Sequence, residues 1–139
     1  MPRLAIVDAS VAVKWLFKEP GTAEAIALRS EWKTTDMLPC APQFLLVELH
    51  NVICKKIRAD VLKPDDPLIS LSPTFGLDLN WAPTVSLLPE ALNWAIRLKM
   101  PIYDALYAAL AHALGGALYT CDRVLADRLH GTSITVHPL

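Results

Sequence analysis

Long apolar runs are missing from this chain of 139 residues. None reaches the roughly 18–20 residues that a membrane-spanning helix needs. The Leu4-Ala5-Ile6-Val7 run before Asp8 is too short for a signal peptide, so the expected compartment is the cytoplasm, with no membrane partner. Cysteine is scarce as well. Cys40, Cys54 and Cys121 are odd in number, widely spaced and without a Cys-x-x-Cys pair, which argues against zinc-ribbon and thioredoxin-type motifs. They read as small buried hydrophobes in a reducing compartment. The four histidines form no His-Glu-x-x-His pattern. A charge surplus is lacking too: the net charge is −1, which at first argues against a nucleic-acid partner. What remains is 53% apolar and 19% charged, the composition of one ordered domain over residues 1–139.

Strand and helix signals alternate along the chain. Arg3–Val7 reads as a buried strand and Val11–Phe17 as a helix, with a break at Pro20-Gly21. Thr22 reads as the N-cap of a helix over Ala23–Lys33. Met37–Cys40 reads as a strand, and Pro42 as the first turn of a helix over Gln43–Arg58. Lys63–Pro83, cut by prolines and Gly76, predicts one broken or kinked helix. Thr84–Leu87 reads as a strand, and Pro89 as the opening of a helix to Lys99. A helix from Pro101 to Leu114 ends at Gly115-Gly116. Ala117–Thr120 is a predicted strand, Arg123–Leu129 a helix and Ser133–Val136 a last strand. This alternation predicts an α/β fold whose parallel sheet is covered on both faces, with its ligand site at the carboxyl ends of the strands.

The acids fall on that map in a pattern. Asp8 follows the first strand, Asp122 follows the Ala117–Thr120 strand, and Asp104 lies in the first turn of its helix. Each alone could be a helix cap. Glu48 could not, because it sits mid-helix among Leu45, Leu46, Leu49, Val52 and Ile53. Glu48, Asn51 and Lys55 share one narrow polar stripe, which points to a wet groove or to a Glu48–Lys55 surface pair. Ala108 and Ala111, on the Asp104 face, would leave space over that carboxylate. Carboxylates gathered in one cleft repel one another, and a hard divalent cation with oxygen preference relieves that repulsion. Ser10, Asn51 and Thr120 could hold waters or carboxylate oxygens in place. With the four acids set aside, ten Asp and Glu face thirteen Lys and Arg, a balance of +3 that suits a phosphate backbone. Lys14, Lys55, Lys56, Arg58, Arg97, Lys99 and Arg123 lie near these acids in sequence. Trp15, Leu16 and Phe17 stand in succession on a short helix, so at least one is expected at the surface near the groove, as part of a partner contact.

Val7-Asp8-Ala9-Ser10, Glu48-Leu49-His50-Asn51, Tyr103-Asp104-Ala105-Leu106-Tyr107 and Thr120-Cys121-Asp122-Arg123 resemble, in order, the four acidic motifs of PIN-domain ribonucleases, most of all the toxin subunit of VapBC-type toxin–antitoxin pairs. The resemblance covers essentially the whole chain. It implies a three-layer α/β/α sandwich with a mostly parallel central sheet and Mg²⁺- or Mn²⁺-dependent endonucleolytic cleavage of RNA. It makes Asp8, Glu48, Asp104 and Asp122 the catalytic and metal-binding quartet, with Ser10, Asn51 and Thr120 in support. It further implies a cognate antitoxin and a homodimer. The proline-rich Lys63–Pro83 stretch and Ala9, where Thr is commoner, depart from the family pattern. The alternatives are a phosphotransfer or phosphatase domain, disfavoured because Asp8-Ala9-Ser10 supplies neither adjacent acids nor Asp-x-Asp, and a catalytically weak PIN-like module acting by RNA or protein binding.

Overall fold

The apolar run near the start becomes the central strand of the protein. In the computed structural model, which describes residues 2–139, Ala5, Ile6 and Val7 of β1 (Arg3–Val7) are fully buried, as expected of a strand covered on both faces. The chain continues through α1 (Ala9–Leu16), α2 (Thr22–Thr34), β2 (Met37–Pro42), α3 (Phe44–Arg58), α4 (Pro67–Ser70), β3 (Asn80–Ala82), α5 (Thr84–Leu98), α6 (Ile102–Leu114), β4 (Ala117–Thr120), α7 (Arg123–Leu129) and β5 (Val136–Pro138). The sheet order is β3-β2-β1-β4-β5 and every pairing is parallel. Strand order reverses between β1 and β4, so right-handed crossovers place helices on both faces and leave a crevice at that switch point. The result is the expected three-layer α/β/α sandwich.

Two local features set the spacing of the layers. Helix α6 is buried continuously from Ala105 to Ala111, between the sheet and α5. Its alanines let the helix approach the strands closely, so Ala108 and Ala111 are core packing rather than open space over Asp104. Helix α6 ends at Gly115 in the left-handed region. The next residue, Gly116, sits so close to β1 that a Cβ there would lie 2.5 Å from Ile6 Cδ1 and 2.7 Å from the Leu4 carbonyl.

The middle of the chain departs from expectation. Thr84–Leu87 is the first turn of α5, not a strand, and Pro89 lies inside that helix rather than opening it. The buried residues Leu87, Ala91 and Trp94 recur at helical spacing, and this tertiary requirement outweighs the β-branched start. Pro89 is exposed, so its ring and missing N–H fall on the solvent side. The Lys63–Pro83 stretch holds only the four-residue α4 and the edge strand β3. Between them Phe75, Leu77 and Leu79 are buried and anchor an otherwise irregular segment. The last strand is Val136–Pro138, displaced from Ser133–Val136. The N-cap of α2 is Gly21, while the Thr22 hydroxyl accepts from the Glu19 N–H and donates to the Phe17 carbonyl.

Trp15, Leu16 and Phe17 are half-buried and pack against the core, which removes the expected apolar patch beside the groove. Trp15 donates its indole N–H to the Ala25 carbonyl and meets Trp32 edge-on, under α2. Lys56 covers the Phe17 ring. The cysteines are free, but only Cys40 is buried; Cys121 is half-buried and Cys54 exposed. Among the described residues no helix is long and apolar enough to cross a membrane.

The Gly116 contact yields a stability prediction. Gly116→Ala forces β1 and β4 apart and should destabilise the fold by about 1–3 kcal/mol, the usual range for overpacking. Urea denaturation reads this directly, and an unchanged midpoint would show that the strands have room to give.

Candidate active site

The carboxyl ends of β1 and β4 carry the centre of the site. The parallel register sets Val7 beside Tyr119, so Asp8 and Thr120 emerge next to each other. Asp8 is 5% exposed and Thr120 fully buried. Asp8 is the N-cap of α1, its Oδ1 accepting from the Val11 N–H at 3.3 Å. The same oxygen accepts from the Ser10 hydroxyl at 2.6 Å, and Oδ2 accepts from the Thr120 hydroxyl. Ser10 Oγ also accepts from the Cys121 N–H at 2.8 Å, and Thr120 Oγ1 from the Asp122 N–H at 2.9 Å. Ser10 and Thr120 therefore both donate to Asp8, and they also fix the turn leading to Asp122.

Glu48 reaches the same cleft from α3. Its Oε1 accepts from the buried Tyr107 hydroxyl at 2.5 Å. Burial, and next the Glu48 charge, push the Tyr107 phenol well above its usual pKa, so it stays protonated and donates. Asn51 does not support Glu48 in this way, being exposed and making no hydrogen bond to it. Lys55 is exposed too, and among the described residues no ion pair joins it to Glu48. Tyr107 is a residue of the cleft to which the sequence motifs assign no role, although it lies three residues after Asp104 in the same motif. Its one signal is the need of a mid-helix glutamate for a donor.

Asp104 and Asp122 complete the cluster. Asp104 is half-buried in the first turn of α6. Asp122 caps α7, its Oδ1 accepting from the Val124 and Leu125 N–H groups. The capping role open to Asp122 from its position is thus real, and it engages one of the two oxygens.

The electrostatics show that the four carboxylates share one cleft. Burial pushes Asp8 up to about 6, against the hydrogen bonds from Ser10, Thr120 and Val11, and the Asp122 charge adds to the rise. Burial pushes Glu48 up to about 7, opposed by the Tyr107 bond and reinforced by Asp8 and Asp104. Asp104 is raised by burial and then by Asp122, while Arg128 on α7 works in the other direction. Arg128 is a second residue that sequence proximity misses, since it approaches Asp104 only in the fold. Several bases near in sequence are engaged elsewhere: Lys14 pairs with Glu19, and Arg97 lies over Trp94. Among the described residues no Lys or Arg forms a salt bridge with any of the four acids.

The donor set is all oxygen. Among the described residues no three His, Cys, Asp or Glu side chains are grouped closely enough to hold a metal ion between them. An all-oxygen set differs from the nitrogen and sulfur ligands of a structural zinc site. It fits a hard cation that takes one or two protein carboxylates and keeps several waters, as magnesium does.

A parallel α/β sandwich with a hydrogen-bonded acid cluster at the carboxyl edge of its switch-point strands defines a class of acid-site domain. The sequence profile of the PIN domain matches residues 5–129. The chain belongs to the PIN-domain family, in its VapC branch. It is 32% identical over 121 residues to ribonuclease VapC1 of Mycobacterium tuberculosis, covering 87% of each protein. Its fold is similar to that of VapBC2 from Rickettsia felis, solved bound to a DNA fragment from its promoter, with a TM-score of 0.69, 15% identity and 98% of each chain covered. It is also similar to a toxin–antitoxin complex from Klebsiella pneumoniae, with a TM-score of 0.62, 13% identity, and 97% and 99% of the chains covered.

The raised carboxyls have a sign that can be measured. Unfolded, Asp8 releases its proton near its ordinary value of 3.8; folded, near 6. The folded state therefore holds more protons across that interval, and stability of the cation-free protein falls as pH rises through it. Asp8→Asn should stabilise the chelator-treated protein by about 1–3 kcal/mol near neutral pH, with the gain shrinking toward pH 4. Thermal melts across that range check it, and a gain independent of pH would contradict the electrostatic cause.

Proposed function

We propose that this chain is a Mg²⁺- or Mn²⁺-dependent endoribonuclease and the toxin component of a type II toxin–antitoxin pair. The observation that carries the reading is the convergence of Asp8, Glu48, Asp104 and Asp122 with, among the described residues, no Lys or Arg salt-bridged to them. The RNA substrate is supported by the name of the mycobacterial relative, and the antitoxin by the Klebsiella complex of the same fold.

Asp8 and Asp104 are the direct cation ligands in this reading, with Asp122, placed farther along on the turn between β4 and α7, acting through water. When bound, the cation supplies positive charge at the scissile phosphate and lowers the pKa of water. Ser10 and Thr120 hold Asp8 in a fixed rotamer. Tyr107 fixes Oε1 of Glu48 and leaves Oε2 free to take the proton of an attacking water, a role suited to a carboxyl whose burial raises its affinity for a proton.

Cleavage of single-stranded RNA by the purified chain, lost in chelator and restored by Mg²⁺ or Mn²⁺, tests this reading. Asp8→Asn and Asp104→Asn should each lower the rate by about a hundredfold or more and relieve toxicity in cells, while Asp122→Asn costs less. RNA binding without cleavage would assign the chain to binding alone.

A homodimer is also proposed, on a different surface from the one expected at Trp15. Val85, Leu88, Leu92 and Ile96 lie along one face of α5 and are 78%, 40%, 53% and 70% exposed. A stripe of this kind can pair with its own copy across a two-fold axis. Leu92→Glu with Ile96→Glu should convert the protein to a monomer in sedimentation velocity while its far-UV circular dichroism stays that of the folded chain. A monomeric parent protein would refute it.

A further inference from the structure

Helices α3 and α6 meet at the cleft through two successive contacts. Glu48 and Tyr107 form one. One helical turn toward the N-terminus of each helix, Phe44 and Tyr103 form the other, with ring centroids 5.3 Å apart and planes within 6° of parallel. The positions correspond, Phe44 four residues before Glu48 and Tyr103 four before Tyr107, so the two contacts stand one above the other. The aromatic pair is therefore the outer storey of the acid site, and Tyr103 is the residue immediately before Asp104.

This pair is held in place and open. Phe44 is half-buried against the core, and its N–H donates to Thr84 Oγ1 at 2.8 Å. Tyr103 is fixed at its base by α6 and backed by Phe44 on one ring face, yet it is 55% exposed. Among the described residues it is the one aromatic in the set of exposed large apolar side chains; Trp15, Trp32 and Tyr119 are spent on internal edge contacts.

We propose that Tyr103, backed by Phe44, is a base-stacking platform for the single-stranded RNA nucleotide next to the scissile phosphate. This rests on the ribonuclease reading above. Single-stranded RNA is recognised largely by stacking unpaired bases on aromatic rings, and a ring already stacked on a second ring presents its free face without further ordering. A nucleotide whose phosphate lies against a cation held by Asp104 would bring its own base within reach of the adjoining residue. A purely apolar partner closing over Tyr103 would also strip water from Asp104, a carboxylate with no salt-bridge partner among the described residues, which is costly. A nucleotide carries its own polar atoms and water to that spot. The apolar stripe of α5 provides the separate surface for a second subunit.

The test uses short single-stranded RNAs carrying 2-aminopurine at successive positions, bound in Mg²⁺ to the Asp8→Asn protein so that cleavage does not intervene. Quenching of the probe at one position is expected. Adding Tyr103→Leu should abolish that quenching and weaken binding about tenfold or more, while Tyr103→Phe and Tyr103→Trp retain both. In the otherwise unaltered enzyme Tyr103→Leu should raise KM more than it lowers kcat. If Tyr103→Leu leaves quenching and affinity unchanged while the parent enzyme still cleaves RNA, the platform is refuted and the ribonuclease reading stands. Conversion of a dimer to a monomer by Tyr103→Leu, with RNA affinity intact, would assign the ring to a subunit contact and equally refute it. A parent protein that neither binds nor cleaves RNA overturns both.

Discussion

The hydrogen-bonded knot of Asp8, Ser10 and Thr120 is the constraint on which this structure turns. It joins the ends of two parallel strands that are over a hundred residues apart in sequence. A carboxylate as buried as Asp8 would be costly without partners, and two hydroxyls plus the Val11 N–H supply them. The same hydroxyls accept from the Cys121 and Asp122 backbone N–H groups, so one small network sets both the first acid and the turn that carries the fourth. It depends in turn on β1 and β4 lying close together, which the absence of a side chain at Gly116 permits.

The second half of the cleft is built by different means. Strand ends cannot carry Glu48, which projects from the second turn of α3 and is steadied by a phenol from α6. The alanine-rich α6 lets that phenol sit deep against the sheet. Buried and raised well above its usual pKa, Tyr107 is a neutral donor rather than a charge. A Lys or Arg at that place would hold Glu48 more strongly, but it would also put a fixed positive charge among the acids.

The cluster trades stability for electrostatic tension. Burial and mutual repulsion raise Asp8, Glu48 and Asp104 together, and Arg128 opposes this only at Asp104. Positive charge brought to such a site would stabilise the fold through the same carboxylates.

The sequence by itself determined much of this protein: the parallel α/β class, the edges of β1, β4 and α6, and the four acids, because strand and helix periods and a mid-helix glutamate are local signals. Ser10 and Thr120 were legible for the same reason, lying beside acids at strand ends. The tertiary structure alone decided the rest. Thr84–Leu87 became helix because the α5 face bearing Leu87, Ala91 and Trp94 had to be buried, and Trp15 turned inward because α2 offered it Trp32 and the Ala25 carbonyl. Asn51 shared a helical stripe with Glu48, yet Tyr107 holds the carboxylate, and Arg128 rather than a nearer base affects Asp104. Helical spacing reports which residues share a face; it cannot report which side chain another helix will bring against that face, because that is fixed by packing across the sheet.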